Sequence, residues 1–201
     1  MHFDALVARI TALPPAPTRR LIAVAGPPAS GKSTLAAQLA GAIDGATALP
    51  MDGFHLDDAL LIADGTWRRK GAPHTFDAHG FVRLIAALQE PADLIFPIFD
   101  RSRELAIAGA GRVPATCDTV VVEGNYLMLN DPPWDALRAH WSLSIALTPD
   151  RATLRDRLTR RWHEHGKPDA AAWIDSNDMP NIDTVLTRSA PADITLTGAP
   201  T

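Results

Sequence analysis

Apolar residues recur along the chain with a period that switches between helix and strand, and the switches mark out its elements. Phe3, Leu6, Val7 and Ile10 fall at helical spacing, which predicts an amphipathic first helix stopped by Pro14, Pro15 and Pro17. RLIAVAG (20–26) then reads as a buried strand, and Leu35, Leu39 and Ile43 lay one apolar stripe along the helix that follows a glycine-rich bend. ATALPMD (46–52) predicts a second short strand. From there to His74 the chain is mixed, and Gly53, Gly65, Gly71 and Pro73 predict a long loop, a length that usually serves function. Asp77 can cap a helix carrying Phe81, Val82, Leu84, Ile85 and Leu88. DLIFPIFD (93–100) and TVVVEGNY (119–126) read as strands, with RSRELAIAGAGRVPA between them as a hairpin excursion. SLSIALT (142–148) is a further strand, after which Pro149 and Asp150 open a helix with Leu154, Leu158 and Trp162 on one face. Shorter helices to Arg188 and a strand ADITLT (192–197) follow. Strands alternating with helices predict an α/β fold whose mainly parallel sheet is covered on both faces. No repeat or linker interrupts it, so residues 1–201 read as one domain.

The bend itself, GPPASGKST (26–34), fits G-x-x-x-x-G-K-[ST] between a buried strand and a helix, the context that gives this pattern its meaning. Gly26, Pro27, Pro28, Ala29, Ser30, Gly31, Lys32, Ser33 and Thr34 would form a cradle around phosphate oxygens, with the N–H groups of its non-proline residues turned inward and the helix N-terminus aiding them. Lys32 is expected to reach the β- and γ-phosphates of ATP, and Ser33 to offer its hydroxyl to Mg²⁺. Glu123 ends the strand VVVEG, where the carboxyl edge of the sheet brings it beside the loop as an acidic magnesium contact. Asp52, at the same edge, is positioned to take the proton of an alcohol that attacks the γ-phosphate, and is a further candidate near the metal. Arg157, Arg160 and Arg161, at i, i+3 and i+4, would close over the triphosphate as a lid, with Arg157 and Arg161 stabilising transition-state charge and Arg160 holding nucleotide. His55, Arg69, Lys70, His74, Asp77, Arg101 and Tyr126, in or beside the loops at that edge, are candidates for binding substrate, Asp77 doubling as a helix cap.

Composition narrows the partners. A net charge of −4 provides no global positive field, so neither nucleic acid nor an acidic membrane is an expected partner. No apolar stretch approaches the ~18 residues of a membrane span, the N-terminus does not read as a secretory signal, and the lone Cys117 fits a buried position in a reducing, cytoplasmic compartment. The pair His163 and His165 faces different sides of a helix and reads as no metal site. The five tryptophans show no stacking pattern interleaved with basic residues. A small-molecule alcohol, acting on a monomer or homodimer, is the expected partner.

With these motifs placed, the chain resembles the phosphoribulokinase, uridine kinase and pantothenate kinase group of P-loop kinases. Beyond the phosphate loop the likeness includes MDGFH (51–55), RRKGAPHTFDAHGF (68–81), FPIFDR (96–101), VVVEGNYLML (120–129) and NDMPN (177–181). Arg69-Lys70-Gly71, Pro73, Phe76 and Asp77 look most like the pantothenate kinase form. The resemblance implies a three-layer P-loop fold with an arginine-bearing lid, and ATP- and Mg²⁺-dependent phosphate transfer to an alcohol of a sugar, pantothenate-like or nucleoside substrate. It also implies that Asp52 is the acid–base residue and Glu123 the metal-side carboxylate. Two positions depart from the uridine kinase pattern: Phe99 stands where a tyrosine is usual, and Glu104 where a histidine is usual. The chain's length suits the short bacterial members of the group, of the kind called fructose transport system kinases. A gluconate-like sugar kinase of another P-loop family, or a non-catalytic ATP-binding regulator, are the alternative readings, whereas a GTP switch would need an N-K-x-D motif that the chain lacks.

Overall fold

The computed structural model describes every residue except 15, 17, 165, 167 and 199–201. Pro15, Pro17 and His165, which entered the reading above, therefore lie outside the described residues. α1 (Phe3–Thr11) buries Leu6 and Ile10, its helical apolar stripe, and leads to β1 (Arg20–Ala25), buried from Leu21 onward. α2 (Lys32–Ala42) starts directly on the phosphate-loop motif and is followed by β2 (Ala46–Pro50). The second strand is thus shorter than its pattern suggested: Met51–Phe54 forms a 3₁₀ turn, and Asp52 rides on that turn. α3 (Asp58–Ala63), with Asp57 capping it, and two further 3₁₀ turns fill the long loop before α4 (Ala78–Ala87). Next come β3 (Leu94–Asp100), β4 (Leu105–Val113), β5 (Thr119–Gly124) and β6 (Leu143–Leu147). α5 (Arg151–Glu164), α6 (Ala170–Trp173), a π-helical stretch Ile174–Asp178, α7 (Met179–Arg188) and β7 (Ile194–Leu196) complete the order.

Five strands form one parallel sheet in the order β2-β5-β1-β6-β7. β1 and β5 are central and buried on both faces, which is why each reads as a continuous apolar run rather than an alternating one. Successive side chains still point to opposite faces. Ile22, Val24, Val121 and Ile145 meet α1 and α2, whereas Leu21, Ala23, Val120 and Val122 meet Phe81, Ile85, Trp134 and Tyr126 on the other side. The result is helix, sheet, helix.

β3 departs from expectation. It is a strand, but it pairs antiparallel with β4 in a separate hairpin and takes no place in the parallel sheet. Its residues are mostly half-buried and its register shifts at Pro97, which has no N–H to give a ladder. The excursion therefore includes residues 94–100 themselves, and its turn carries Arg101.

One side chain missed by the sequence pattern anchors this arrangement. Arg19, buried just before β1, donates to the carbonyls of Cys117 (3.1 Å), Leu88 (3.3 Å), Glu90 (2.7 Å), Ala92 (2.6 Å) and Pro114 (3.0 Å). It ties the end of α4 and the β4–β5 connection to the start of the central strand. Truncating it would leave buried carbonyls without a donor. Arg19→Met is expected to lower the unfolding free energy by on the order of 3 kcal/mol or more. Urea denaturation checks this, and an unchanged midpoint would show that water replaces the guanidinium.

Candidate active site

The phosphate loop is shaped by backbone requirements that explain its composition. Ala29 and Gly31 adopt left-handed φ values of 64° and 95°, and Ser30 N–H closes a turn onto the Pro27 carbonyl at 3.2 Å. A Cβ on Gly26 would lie 2.7 Å from Ser30 Oγ and 2.9 Å from the Leu147 carbonyl, so only glycine passes between the loop and the end of β6. The Ser30 hydroxyl is buried and lacks a hydrogen-bond partner among the described residues. A buried hydroxyl with no partner among them, just before the N-terminus of α2, suits a phosphate oxygen.

Lys32 is buried at the first turn of α2. Burial lowers its pKa, while the charges of Glu123 and Asp52 pull the other way. Ser33 Oγ donates to Glu123 Oε1 at 3.0 Å. Burial raises the Glu123 pKa, with Asp52 adding to the rise and Lys32 and Ser33 opposing it. A hydroxyl and a carboxylate at one point are hard oxygen donors of the type Mg²⁺ takes. No group of three or more His, Cys, Asp or Glu that could hold a metal occurs among the described residues. A magnesium ion here would thus fill its shell with phosphate oxygens and water, as this ion commonly does.

Asp52 reaches the same edge from its 3₁₀ turn. Gly53 makes the position available: a Cβ there would lie 1.9 Å from the Pro97 carbonyl, so the turn rests directly on the irregular point of β3. The Asp52 carboxylate is partly buried and pairs with the Arg101 guanidinium. Burial by itself would raise its pKa, but His55, Arg101, Lys32 and Arg161 together hold it below the usual carboxylate value. His55 Nδ1 lies 2.7 Å from the Asp52 carbonyl, and its ring sits between Phe76 (4.0 Å) and Phe99 (4.7 Å). Burial keeps His55 below the ordinary histidine pKa, against the pull of Asp52.

The arginines of α5 do not act as one face. Arg157 Nη1 donates to the carbonyls of Ala29 and Ser30, both at 3.2 Å, bracing the outside of the phosphate loop. Arg161, one turn on and half-buried, faces Asp52, Arg101 and Asp178; burial lowers its pKa and Arg101 adds to that. Arg160 is exposed, and among the described residues no ion pair or hydrogen bond ties it to the loop. Its direction follows from the 100° step per residue, which turns it away from the face that Arg157 and Arg161 share.

The remaining expected residues divide into two groups. His55 and Arg101 lie at Asp52. Lys70 stands over the Phe99 ring at 5.3 Å, with its ammonium held by Asp58 (2.7 Å) and Glu104 (3.3 Å). The others serve the loop's structure. Arg69 donates to the Ser176 carbonyl (2.7 Å) and to Asn181 Oδ1 (3.2 Å). Tyr126 is fully buried against Phe76 and Trp134 and donates its hydroxyl to the Gly71 carbonyl at 2.5 Å, so it presents no surface to a ligand. Asp77 caps α4 through the Gly80 N–H at 2.7 Å, and His74 is exposed. The likeness included NDMPN (177–181) without giving it a role: Asn177 donates to the Lys70 carbonyl at 2.8 Å and Asn181 receives Arg69. Their signal was present, since two buried asparagines at i, i+4 on a helix need polar partners.

Similarity to other proteins accords with this geometry. The structure of a Silicibacter protein provisionally named a fructose transport system kinase superposes with a TM-score of 0.94 at 43% identity, covering 98% of this chain and 99% of that one. A Schizosaccharomyces pombe protein provisionally named a uridine kinase is 31% identical over 210 residues, 96% of this chain and 89% of that protein. The uncharacterised Escherichia coli protein YggC is 34% identical over 184 residues, 88% of this chain and 76% of that protein. No family model matches the chain.

The depressed pKa of His55 has a consequence for stability. Below about pH 6.5 an unfolded His55 takes up a proton that the folded one resists, so the unfolded state binds more protons and stability falls with pH. Unfolding free energy is expected to decline as pH is lowered from about 7 to about 5, and the decline to be shallower in His55→Gln. Urea titrations across that range check it, and parallel curves for the two proteins would contradict it.

Proposed function

Because the chain belongs to the uridine kinase and pantothenate kinase group of P-loop kinases, we propose that it transfers the γ-phosphate of ATP to the hydroxyl of a small molecule, with Asp52 as the base. The observation that carries this reading is the meeting of a phosphate loop, through buried Lys32 and the Ser33–Glu123 contact, with a separately positioned carboxylate at one sheet edge. A protein that only binds the nucleotide has no need of that carboxylate.

In this reading the backbone N–H groups at the start of α2 and the Ser30 hydroxyl bind the phosphates. Lys32 sits where charge develops on the γ-phosphate, and its desolvation makes that interaction stronger than it would be in water. Ser33 and Glu123 would hold Mg²⁺, which supplies charge neutralisation to the β- and γ-oxygens. Arg157 fixes the loop from outside, and Arg161 brings a second positive charge toward the transferring group. Asp52 stays ionised at neutral pH and accepts the alcohol proton as the oxygen attacks phosphorus. Its turn rests on β3, which holds the carboxylate in place.

Two substitutions test the assignment. Lys32→Ala is expected to cut kcat by about 10²–10³-fold, since one transition-state contact is lost. Asp52→Asn is expected to lower kcat by about 10²–10⁴-fold while ATP affinity stays close to the parent's, because it removes a proton acceptor and no phosphate contact. Coupled ADP release and calorimetric ATP binding read the two effects. Near-parental kcat in either variant would remove the role given to that residue.

A further inference from the structure

Arg101 occupies the turn after β3 with a side chain that is 60% exposed, yet its guanidinium folds back onto Oδ2 of Asp52. A guanidinium on one oxygen leaves Oδ1 open but draws charge from the carboxylate and makes it a weaker proton acceptor for an alcohol. Lys32, Arg101 and Arg161 gather around Asp52 and Glu123, with Asp178 also facing Arg161. Arg161 has no hydrogen-bond partner among the described residues, and nothing but Asp52 holds Arg101. Lys70 differs, because Asp58 and Glu104 already satisfy its ammonium.

An acceptor hydroxyl at hydrogen-bonding distance from Asp52 places the rest of that molecule beside the guanidinium bound to the same carboxylate. A neutral polyol would either leave Arg101 on Asp52 or strip it of a counter-charge. A carboxylate or phosphate gives the guanidinium a planar, bidentate partner in exchange, so the number of ion pairs is conserved as Asp52 is released. Beside Asp52, His55 lies against the Phe76 and Phe99 rings with its Nδ1 on the Asp52 carbonyl, which leaves few polar atoms there to read several hydroxyls.

On the basis of the phosphotransfer reading, we infer that the acceptor is an alcohol carrying an anionic group, carboxylate or phosphate, and that Arg101 recognises that group and in doing so releases Oδ2 of Asp52. Arg101 moves from Asp52 to the acceptor's anion. The freed carboxylate takes the hydroxyl proton as the oxygen forms its bond to the γ-phosphorus. The bond from that phosphorus to the bridging oxygen breaks, and its electron pair leaves with ADP. Arg101 is thus a selector that also tunes the base, since a guanidinium left on Oδ2 keeps the carboxylate a weaker proton acceptor.

The test compares ADP release from Mg–ATP with alcohols of one carbon skeleton: glycerol, glycerate and glycerol phosphate; panthenol and pantothenate; ribose, ribonate and ribose phosphate. The carboxylate and phosphate arms separate the two kinds of anion. Expected is at least about a tenfold advantage in kcat/KM for an anionic member over its neutral counterpart, falling toward parity in Arg101→Gln and partly regained in Arg101→Lys. A neutral alcohol used as well as its anionic counterpart, or a preference that survives Arg101→Gln, overturns the inference and leaves phosphotransfer standing. Where no alcohol of the set releases ADP, calorimetry on protein loaded with Mg–ADP decides: saturable binding of an anionic member that Arg101→Gln abolishes supports it, and no such binding overturns it. Failure of the phosphotransfer reading is visible separately, as ATP binding and turnover that Lys32→Ala leaves untouched.

Discussion

The parallel pairing of β1 with β5 sets Val24 beside Glu123 and Ala25 beside Gly124, so the phosphate loop leaves its strand at the very place where the neighbouring strand ends in a carboxylate. Everything chemical in the molecule depends on that adjacency. It brings Ser33 to Glu123 and buries Lys32 between Glu123 and Asp52. It also requires both strands to be covered on both faces, because charges gathered at a sheet edge gain strength only if water is excluded around them. The two apolar layers that cover the central strands are therefore part of the site's electrostatics as well as the fold's stability.

The hairpin of β3 and β4 is the second constraint. Pro97 and the broken register keep β3 out of the parallel sheet, and the absence of a side chain at Gly53 lets the Asp52 turn rest on that break. A hairpin outside the sheet is free to place its turn across the carboxyl edge, and that turn carries Arg101 to Asp52. The same hairpin brings Phe99 to His55 and Glu104 to Lys70. On the proposed reading, one excursion furnishes most of the acceptor side, while the sheet furnishes the phosphate side.

Between them, the π-helical stretch and α7 hold the loop at 69–71. A π segment widens the helix and turns Asn177 inward to the Lys70 carbonyl, and Asn181, one turn on, receives Arg69. Tyr126 fastens Gly71 from the opposite side. Lys70 is thereby held by its backbone as well as by its ion pairs, which explains why four polar side chains are drawn out of water for one short stretch.

The amino-acid sequence by itself determined the strand–loop–helix unit at 20–42, the buried parallel strands, the loop glycines, and that Lys32 and Ser33 open a helix while Asp52 and Glu123 lie at the carboxyl edge of the sheet. These are local properties: consecutive residues set backbone conformation, and a run of apolar residues declares its own burial. What only the tertiary structure decided is which charges meet. Arg101 and Asp52 are far apart in the chain, as are Arg69 and Asn181, and a side chain's charge does not say which carboxylate or carbonyl it will find. Arg157 and Arg160 differ by three positions, yet one braces the phosphate loop and the other is exposed, because helix rotation and the packing of Leu154 and Leu158 settle the direction. Tyr126 looked like a surface for ligand and proved to be a buried strut, because the energy of burying its ring against Phe76 and Trp134 is a property of neighbours that no window of sequence contains.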